Sequence, residues 1–365
     1  MLRPLPIHSC QEAARVKAIV IHEYGPPDVL KYEDVPDPQP RDNEIRIKIH
    51  AATVNVTLDV MVRAGKQTQR GITLPLIPGV DCAGVIDKVG KNVKRWQVGD
   101  HIAAAGRMPL DDVSESADFD TYGYDGPTGM MGIKRPGGFA EMICVPAATG
   151  DKLPKSLDFR EAAVIGRHCP TAWNLLVNIA KLQPGEWVMI MGASGNLGSI
   201  GIQIAKHVIG AKVIAVAGSR ARADYGLTVG ADYALDSSTQ DLVAEVKKIT
   251  GGKGVNVLYD NIANPEVLPK AFHCLGMNGR LVTAGAHGGP NVTIDFFHLY
   301  DNKITIMGMP GHDPADRPKC YQAAAEGKIK VKIAHILPLS KAAEAHRMIE
   351  SDPGAGKIVL DPTLG

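Results

Sequence analysis

Paired cysteines, long apolar runs and blocks of like charge are all missing from this chain, and each absence removes a class of protein. The six cysteines (Cys10, Cys82, Cys144, Cys169, Cys274 and Cys320) are scattered, with no C-x-x-C spacing. That is neither a disulfide framework nor a zinc knuckle, and it fits a reducing compartment. No stretch approaches the ~18 apolar residues of a membrane helix. Residues 1–15 carry Arg3, His8, Glu12 and two prolines. They lack the apolar core of a signal peptide and read as a loose extension of a cytoplasmic protein. A net charge of +1 with no basic stripe supports neither a nucleic-acid partner nor an anionic membrane. No internal repeat or low-complexity tract is present.

What is there points to two domains, since 365 residues exceed one ordinary core. The first third reads as β. Residues 16–21 form a short apolar strand, and residues 44–50 alternate strictly, predicting three isoleucines on one face and the charges on the other. Residues 82–89, 100–104 and 139–145 read as further strands between Gly and Pro turns, the pattern of a small antiparallel barrel or sandwich. Residues 107–138 are polar and glycine-rich, with five aspartates and two tyrosines; so long a loop is functional or disordered.

From about residue 158 the texture changes. Apolar runs at 187–191, 212–216, 255–259, 280–283 and 303–307 alternate with helical patterns such as 241–249, where Leu242, Val246 and Ile249 share a face. That alternation predicts a parallel, doubly wound sheet. Two further helices, 314–326 and 341–350, and a closing strand 357–360 complete the chain.

The strongest local signal is a buried strand running into Gly192, Ala193, Ser194, Gly195, Asn196, Leu197 and Gly198, followed by an amphipathic helix. Glycines admit a pyrophosphate to the backbone, and the helix start supplies free N–H groups and a positive dipole end. The spacing is G-x-x-G-x-x-G, so the bare pattern is weak, and a turn serving only helix–strand packing is the alternative. The β/α units around it favour a dinucleotide site. The second strand ends at Ser219, Arg220 and Arg222 with no carboxylate at that tip, which favours NADPH over NADH. The alternative is that both arginines are solvated helix charges. Ala284, Gly285 and His287, after another strand end, and Asn261 complete the expected cofactor lining.

With these residues in place the chain resembles the medium-chain dehydrogenase/reductase superfamily, and within it the zinc-free, quinone-oxidoreductase-like branch. The resemblance runs through Pro78-Gly79-Val80-Asp81, Val98-Gly99-Asp100, Gly137-Gly138-Phe139-Ala140-Glu141, Thr171-Ala172-Trp173, Gly230-Ala231-Asp232, Tyr259-Asp260-Asn261-Ile262 and Gly356-Lys357-Ile358-Val359. It implies an α/β architecture: a GroES-like β-barrel domain over 16–157, a doubly wound Rossmann domain over 158–310, and a C-terminal segment, 311–365, returning to the catalytic domain. It also implies a homodimer or homotetramer joined through the Rossmann domains.

Zinc alcohol dehydrogenases of the superfamily hold their catalytic metal through Cys and His ligands. Aligned on Asp59, Gly79 and Thr171, this chain carries Val56, Val80 and Arg167 at those positions. Valine has no donor atom and a guanidinium repels a cation, so no zinc is expected. The neighbours His168 and Cys169 stand at the wrong offset and read as core or pocket lining. Without a Lewis acid, an unactivated alcohol is hard to oxidise. The resemblance then implies hydride transfer from NADPH to an activated C=C bond (an enone, enal or enoyl group) or to a quinone. Asn55, Thr57, Arg167 and Tyr122 are the expected catalytic residues, with Asp59, Arg63, His168 and Tyr124 as further candidates. Asn55 has the alternative of a turn former bonded to its own backbone. Asp59 reads as structural, capping or orienting the following helix, and Arg167 as a carbonyl-polarising group or the ion-pair partner of Asp81 or Asp59. Two other functions stay open: an NAD(P)-dependent alcohol or aldehyde dehydrogenase with an altered site, and a non-catalytic dinucleotide- or RNA-binding member.

Overall fold

A computed structural model describes residues 14–116, 126–309, 311–352 and 356–365; Tyr122 and Tyr124 lie outside these. Its centre is a six-stranded parallel sheet in the order Tyr233–Asp236, Lys212–Ala217, Trp187–Met191, Val255–Tyr259, Leu275–Thr283, Thr305–Gly308. In chain order this is 3-2-1-4-5-6, the doubly wound pattern, with its reversal between Trp187–Met191 and Val255–Tyr259. The predicted strands at 187–191 and 255–259 coincide with the observed ones, because fully buried runs are bounded sharply by turn residues. The strand Tyr233–Asp236 was not expected: at four residues, with Tyr233 exposed, it has no periodicity to read.

The second sheet has seven strands. Ile333–Pro338 pairs with Lys357–Asp361, which pairs with Glu44–Thr53, and then follow Asp81–Val89, His101–Ala105 and Asp151–Lys152. Met142–Pro146 lies against the other side of Glu44–Thr53. The C-terminal chain thus re-enters the first domain, with Val359 facing Thr53 and Leu360 facing Ala52. The segment from 311 onward divides: its helix Asp316–Ala325 buries Cys320 and Tyr321 among Rossmann-side residues, while the two strands beyond it join the β sheet.

Glu44–Thr53 keeps the predicted faces and adds a burial of charge that alternation does not report. Ile45, Ile47 and Ile49 are buried on one face as expected, while Glu44 and Arg46 on the other face are buried too, with Lys48 exposed and His50 half-buried. The reason is long-range pairing. Arg46 bonds Asp37 at 2.7 Å and Asp87 at 2.5 Å, and Glu44 takes Arg41 at 2.8 Å and Arg135 at 2.6 Å. Charges with partners can be covered, whereas lone ones stay in water.

A single helix, Phe159–Trp173, joins the two halves. Asp158 caps it by accepting from the Arg160 N–H at 2.8 Å. It buries Ala162, Ala163, Val164 and Ile165 in a core shared by Ala51, Ala83 and Ala103 of the β sheet and Ile190, Ile200 and Ile202 of the Rossmann half. Its remaining face carries Arg167, His168 and Thr171 into the space between the sheets. No helix among the described residues is long and apolar enough to cross a membrane.

Candidate functional site

The dinucleotide turn is built as its residue types require. Gly192 has φ +71°, a conformation that disfavours a side chain, and a Cβ on Gly198 would stand 2.2 Å from the Gly192 carbonyl oxygen. The strand and the following helix Asn196–Gln203 therefore meet backbone to backbone. The helix starts at the exposed Gly195 without a side-chain cap, so its first N–H groups point outward from the switch point. These residues fit a pyrophosphate. Beside them, Asn261 accepts from the Ala284 N–H at 3.0 Å and fixes the loop that carries Gly285 and His287. The Asn261 amide nitrogen is buried beside the Tyr259 hydroxyl.

The tip of the second strand differs from expectation. The sequence places no carboxylate there, yet Arg220 donates from Nε to Asp224 at 2.9 Å and from Nη1 to the Ala234 carbonyl at 3.2 Å. Asp236 also stands close, because its strand puts it in register with Ala217. An i,i+4 helix pair and a sheet neighbour supply the acids that the linear reading lacked. Ser219 precedes this helix and Arg222 is exposed on it.

Asn55, Thr57, Arg167 and His168 share one cleft of about 300 Å³ with Leu197, Ala284 and His287. The GroES-like side and the Rossmann side thus meet where the cofactor turn opens. Arg63 is elsewhere: it is buried against Glu350 at 2.5 Å. Asp59 lies within the helical turn Val56–Val60 and is not its N-cap, but its carboxylate accepts from the Asn55 N–H that opens the turn, the orienting role expected for it.

Behind the cleft wall lies a charge network. Thr53 donates from N and Oγ1 to Asp81 at 2.7 and 2.5 Å. The Asn55 amide nitrogen donates to Asp81 at 3.0 Å and to Asp59 at 3.2 Å, and its backbone N–H reaches Asp59 at 2.8 Å. Lys357 donates to the Asn55 amide oxygen at 3.0 Å. The Asn55 carboxamide is therefore engaged inside the wall, bonding far more than its own backbone. Lys357 and Asp81 were not among the expected site residues. Asp81 was signalled by the Pro78-Gly79-Val80-Asp81 motif and as a partner for Arg167, and Lys357 only by heading an apolar terminal strand.

Burial, aided by the Asp81 carboxylate, pushes Asp59 up to about 7 against its bonds from Asn55 and the Arg167 cation. Burial raises Asp81 as well, against the bonds from Thr53. Burial brings Lys357 down to about 8 against the attraction of Asp81, with Arg167 lowering it further. Among the described residues no group of three or more His, Cys, Asp or Glu side chains could hold a metal ion.

Comparison with known proteins agrees with this geometry. Residues 41–155 match the model of the alcohol dehydrogenase GroES-like domain, and residues 197–326 match that of the zinc-binding dehydrogenase family. Human quinone oxidoreductase is 30% identical over 351 residues, covering 94% of this chain and 97% of its own. A 2-haloacrylate reductase from a Burkholderia species is 29% identical over 360 residues, covering 95% and 99%. The crystal structure of an NAD-dependent alcohol dehydrogenase superposes with a TM-score of 0.83 at 32% identity, covering 94% and 99%.

The buried Asp59 gives stability a sign with pH. Between its unfolded value near 4 and about 7 in the fold, the native state binds the extra proton, so the contribution is complete at low pH and lost as pH rises through 7. Asp59→Asn removes that slope. Relative to wild type, the variant should gain roughly 2–4 kcal/mol in unfolding free energy between pH 4.5 and pH 8. Denaturant titrations at the two pH values measure it, and a pH-independent difference would contradict the assignment.

Proposed function

Because the chain belongs to the medium-chain dehydrogenase/reductase superfamily, on its quinone-oxidoreductase-like side, we propose that it is a zinc-independent, NADPH-dependent reductase of activated C=C bonds or quinones. The observation that carries this reading is the cleft, where a helix mouth suited to pyrophosphate meets a fixed guanidinium, Arg167. Zinc is left out on the chemistry of the donors: Val80 is a buried hydrocarbon, Val56 likewise has no lone pair, and Arg167 is a cation. The five described cysteines are free, which fits a reducing, cytoplasmic setting.

When bound, NADPH supplies a hydride to the substrate. The protein's part is to hold charge and exclude alternatives. Arg167, half-buried and pressed by Asp59 from behind, stabilises negative charge growing on a substrate carbonyl oxygen. The Thr57 hydroxyl, exposed in the cleft, is a second donor to that oxygen. Asn55 acts as a positioning residue, tying Lys357, Asp59 and Asp81 into the wall that supports Arg167. His168 is kept neutral by burial and by the Lys357 and Arg167 cations, so it serves as a neutral donor or acceptor. The proton that completes reduction comes from solvent. A guanidinium cannot bind and ionise an alcohol as a metal does, so substrates already activated by conjugation are favoured.

Screening NADPH oxidation against quinones, enones, enals and enoyl thioesters should find turnover without added metal. Arg167→Gln should lower it by about 100-fold or more. Turnover that tracks bound zinc, or that survives Arg167→Gln, refutes this assignment.

NADPH is preferred through Arg220, Arg222 and Ser219 at the strand tip, although Asp224 and Asp236 beside Arg220 are the features that favour NADH. Titration should give NADPH about tenfold tighter than NADH, and Arg220→Ala should erase that margin. Equal losses for both coenzymes would mark Arg220 as structural only.

The chain also pairs with a second copy. Thr305–Gly308 is the edge of the Rossmann sheet, with Ile306 exposed, and the helix Phe296–Asp301 next to it exposes Phe296, Phe297 and Tyr300 at 63–73%. An open strand edge flanked by apolar side chains is what a sheet-extending dimer covers. Sedimentation should give a dimer, or a tetramer built from it, that Ile306→Lys weakens; a monomer at micromolar concentration excludes it.

A further inference from the structure

The cleft carries more positive charge than a quinone or a simple enone requires. Arg107 reaches it from the strand Arg107–Pro109, Arg167 from the joining helix and Arg317 from the C-terminal segment, beside the neutral imidazoles of His168 and His312. Among the described residues that line it there is no Asp or Glu. The carboxylates answering these cations, Asp59, Asp81 and Asp151, stand behind them, none more than 7% exposed. Arg317 is anchored from the rear, its Nε 3.1 Å from Asp151. Arg107 is exposed at the rim and braced by Thr128, whose hydroxyl accepts from Nη2 at 2.7 Å.

Burial together with Arg317 and Arg167 pushes His312 down to about 4. Positive charge thus comes from guanidinium groups that no physiological pH removes. Carboxylates behind and guanidinium groups in front form an oriented charge layer facing the cleft. One carbonyl oxygen uses one such donor. Guanidinium groups entering from both the GroES-like side and the C-terminal segment are the arrangement that recognises a carboxylate, by planar two-point bonding.

We propose that the natural substrate carries a carboxylate besides the carbonyl that activates its C=C bond, and that Arg107 and Arg317 hold that carboxylate while Arg167 serves the carbonyl. This rests on the reductase reading above and names its substrate class: unsaturated oxo acids. The carboxylate is a spectator that forms and breaks no bond in the reduction.

The test compares trans-4-oxo-2-pentenoate with its methyl ester, using NADPH and the full chain. The ester is intrinsically the better hydride acceptor, so a preference for the acid reports on the protein. The acid should be favoured by about tenfold or more in kcat/KM, and Arg107→Gln should cut the acid-to-ester ratio by at least about fivefold. Arg317→Gln should do the same, with thermal unfolding recorded because it strands Asp151. Pentanoate should bind by calorimetry, more weakly in 0.5 M salt, while pentanamide should not. An ester used as well as the acid, or variants that slow both equally, overturns the proposal. If neither compound is reduced, pentanoate decides: binding weakened by Arg107→Gln keeps the anion site and removes the reductase reading, and no binding removes the site.

Discussion

Two carboxylates buried side by side, Asp59 and Asp81, are the constraint from which the rest of this site follows. Neither reaches solvent, and each raises the cost of ionising the other. Their charge is balanced from distant parts of the chain: Arg167 on the joining helix and Lys357 at the head of the last strand. Removing one cation would leave a buried charge uncompensated, at a cost of about 3–5 kcal/mol. The return of the C-terminal strand to Glu44–Thr53 therefore does two things. It closes the β sheet through Val359 and Leu360, and it delivers the lysine that the acids need.

That balance also underlies the proposed chemistry. Arg167 lines the cleft and the two acids do not, so the wall presents positive charge without being a bare cation. Preorganised charge of this kind costs no reorganisation when an oxyanion develops. It differs from a metal ion in one respect that matters. A metal takes ligands into its own coordination shell, whereas a guanidinium only donates hydrogen bonds, and so it assists acceptors whose electrophilicity is already present.

How far the sequence could be read depended on the range of each interaction. The turn from Gly192 to Gly198 was legible because its demands are local: a positive φ at one glycine and a backbone contact six residues on. The strand Trp187–Met191 was legible because burial on both faces leaves an unbroken apolar run. The burial of Arg46 was not legible because alternation reports which face a side chain takes, not whether acids from 37 and 87 will cover it. Lys357 was hidden for a stronger version of that reason, since its partner Asn55 is 302 residues away. Arg317 and His312 were hidden likewise: nothing local distinguishes an arginine facing a cleft from one facing water. The Asp224 partner of Arg220 was in principle readable from its i,i+4 spacing, and Asp236 was not, because it arrives through sheet register.

The acids around Arg220 also bear on the coenzyme, and in a direction opposite to first appearance. In Rossmann sites that select NADH, the acid at the strand tip meets the ribose hydroxyls itself. Here Asp224 lies one helical turn further on and bonds the guanidinium instead. The pair is exposed on both sides, and such pairs are weak in water. A ribose 2′-phosphate brings greater charge and three acceptor oxygens, so it competes well for the same donors. Until then Asp224 and the Ala234 carbonyl hold the side chain at the tip, which lowers the conformational entropy lost when a phosphate arrives. An acid that orients an arginine is compatible with NADPH, whereas an acid in the arginine's place would not be.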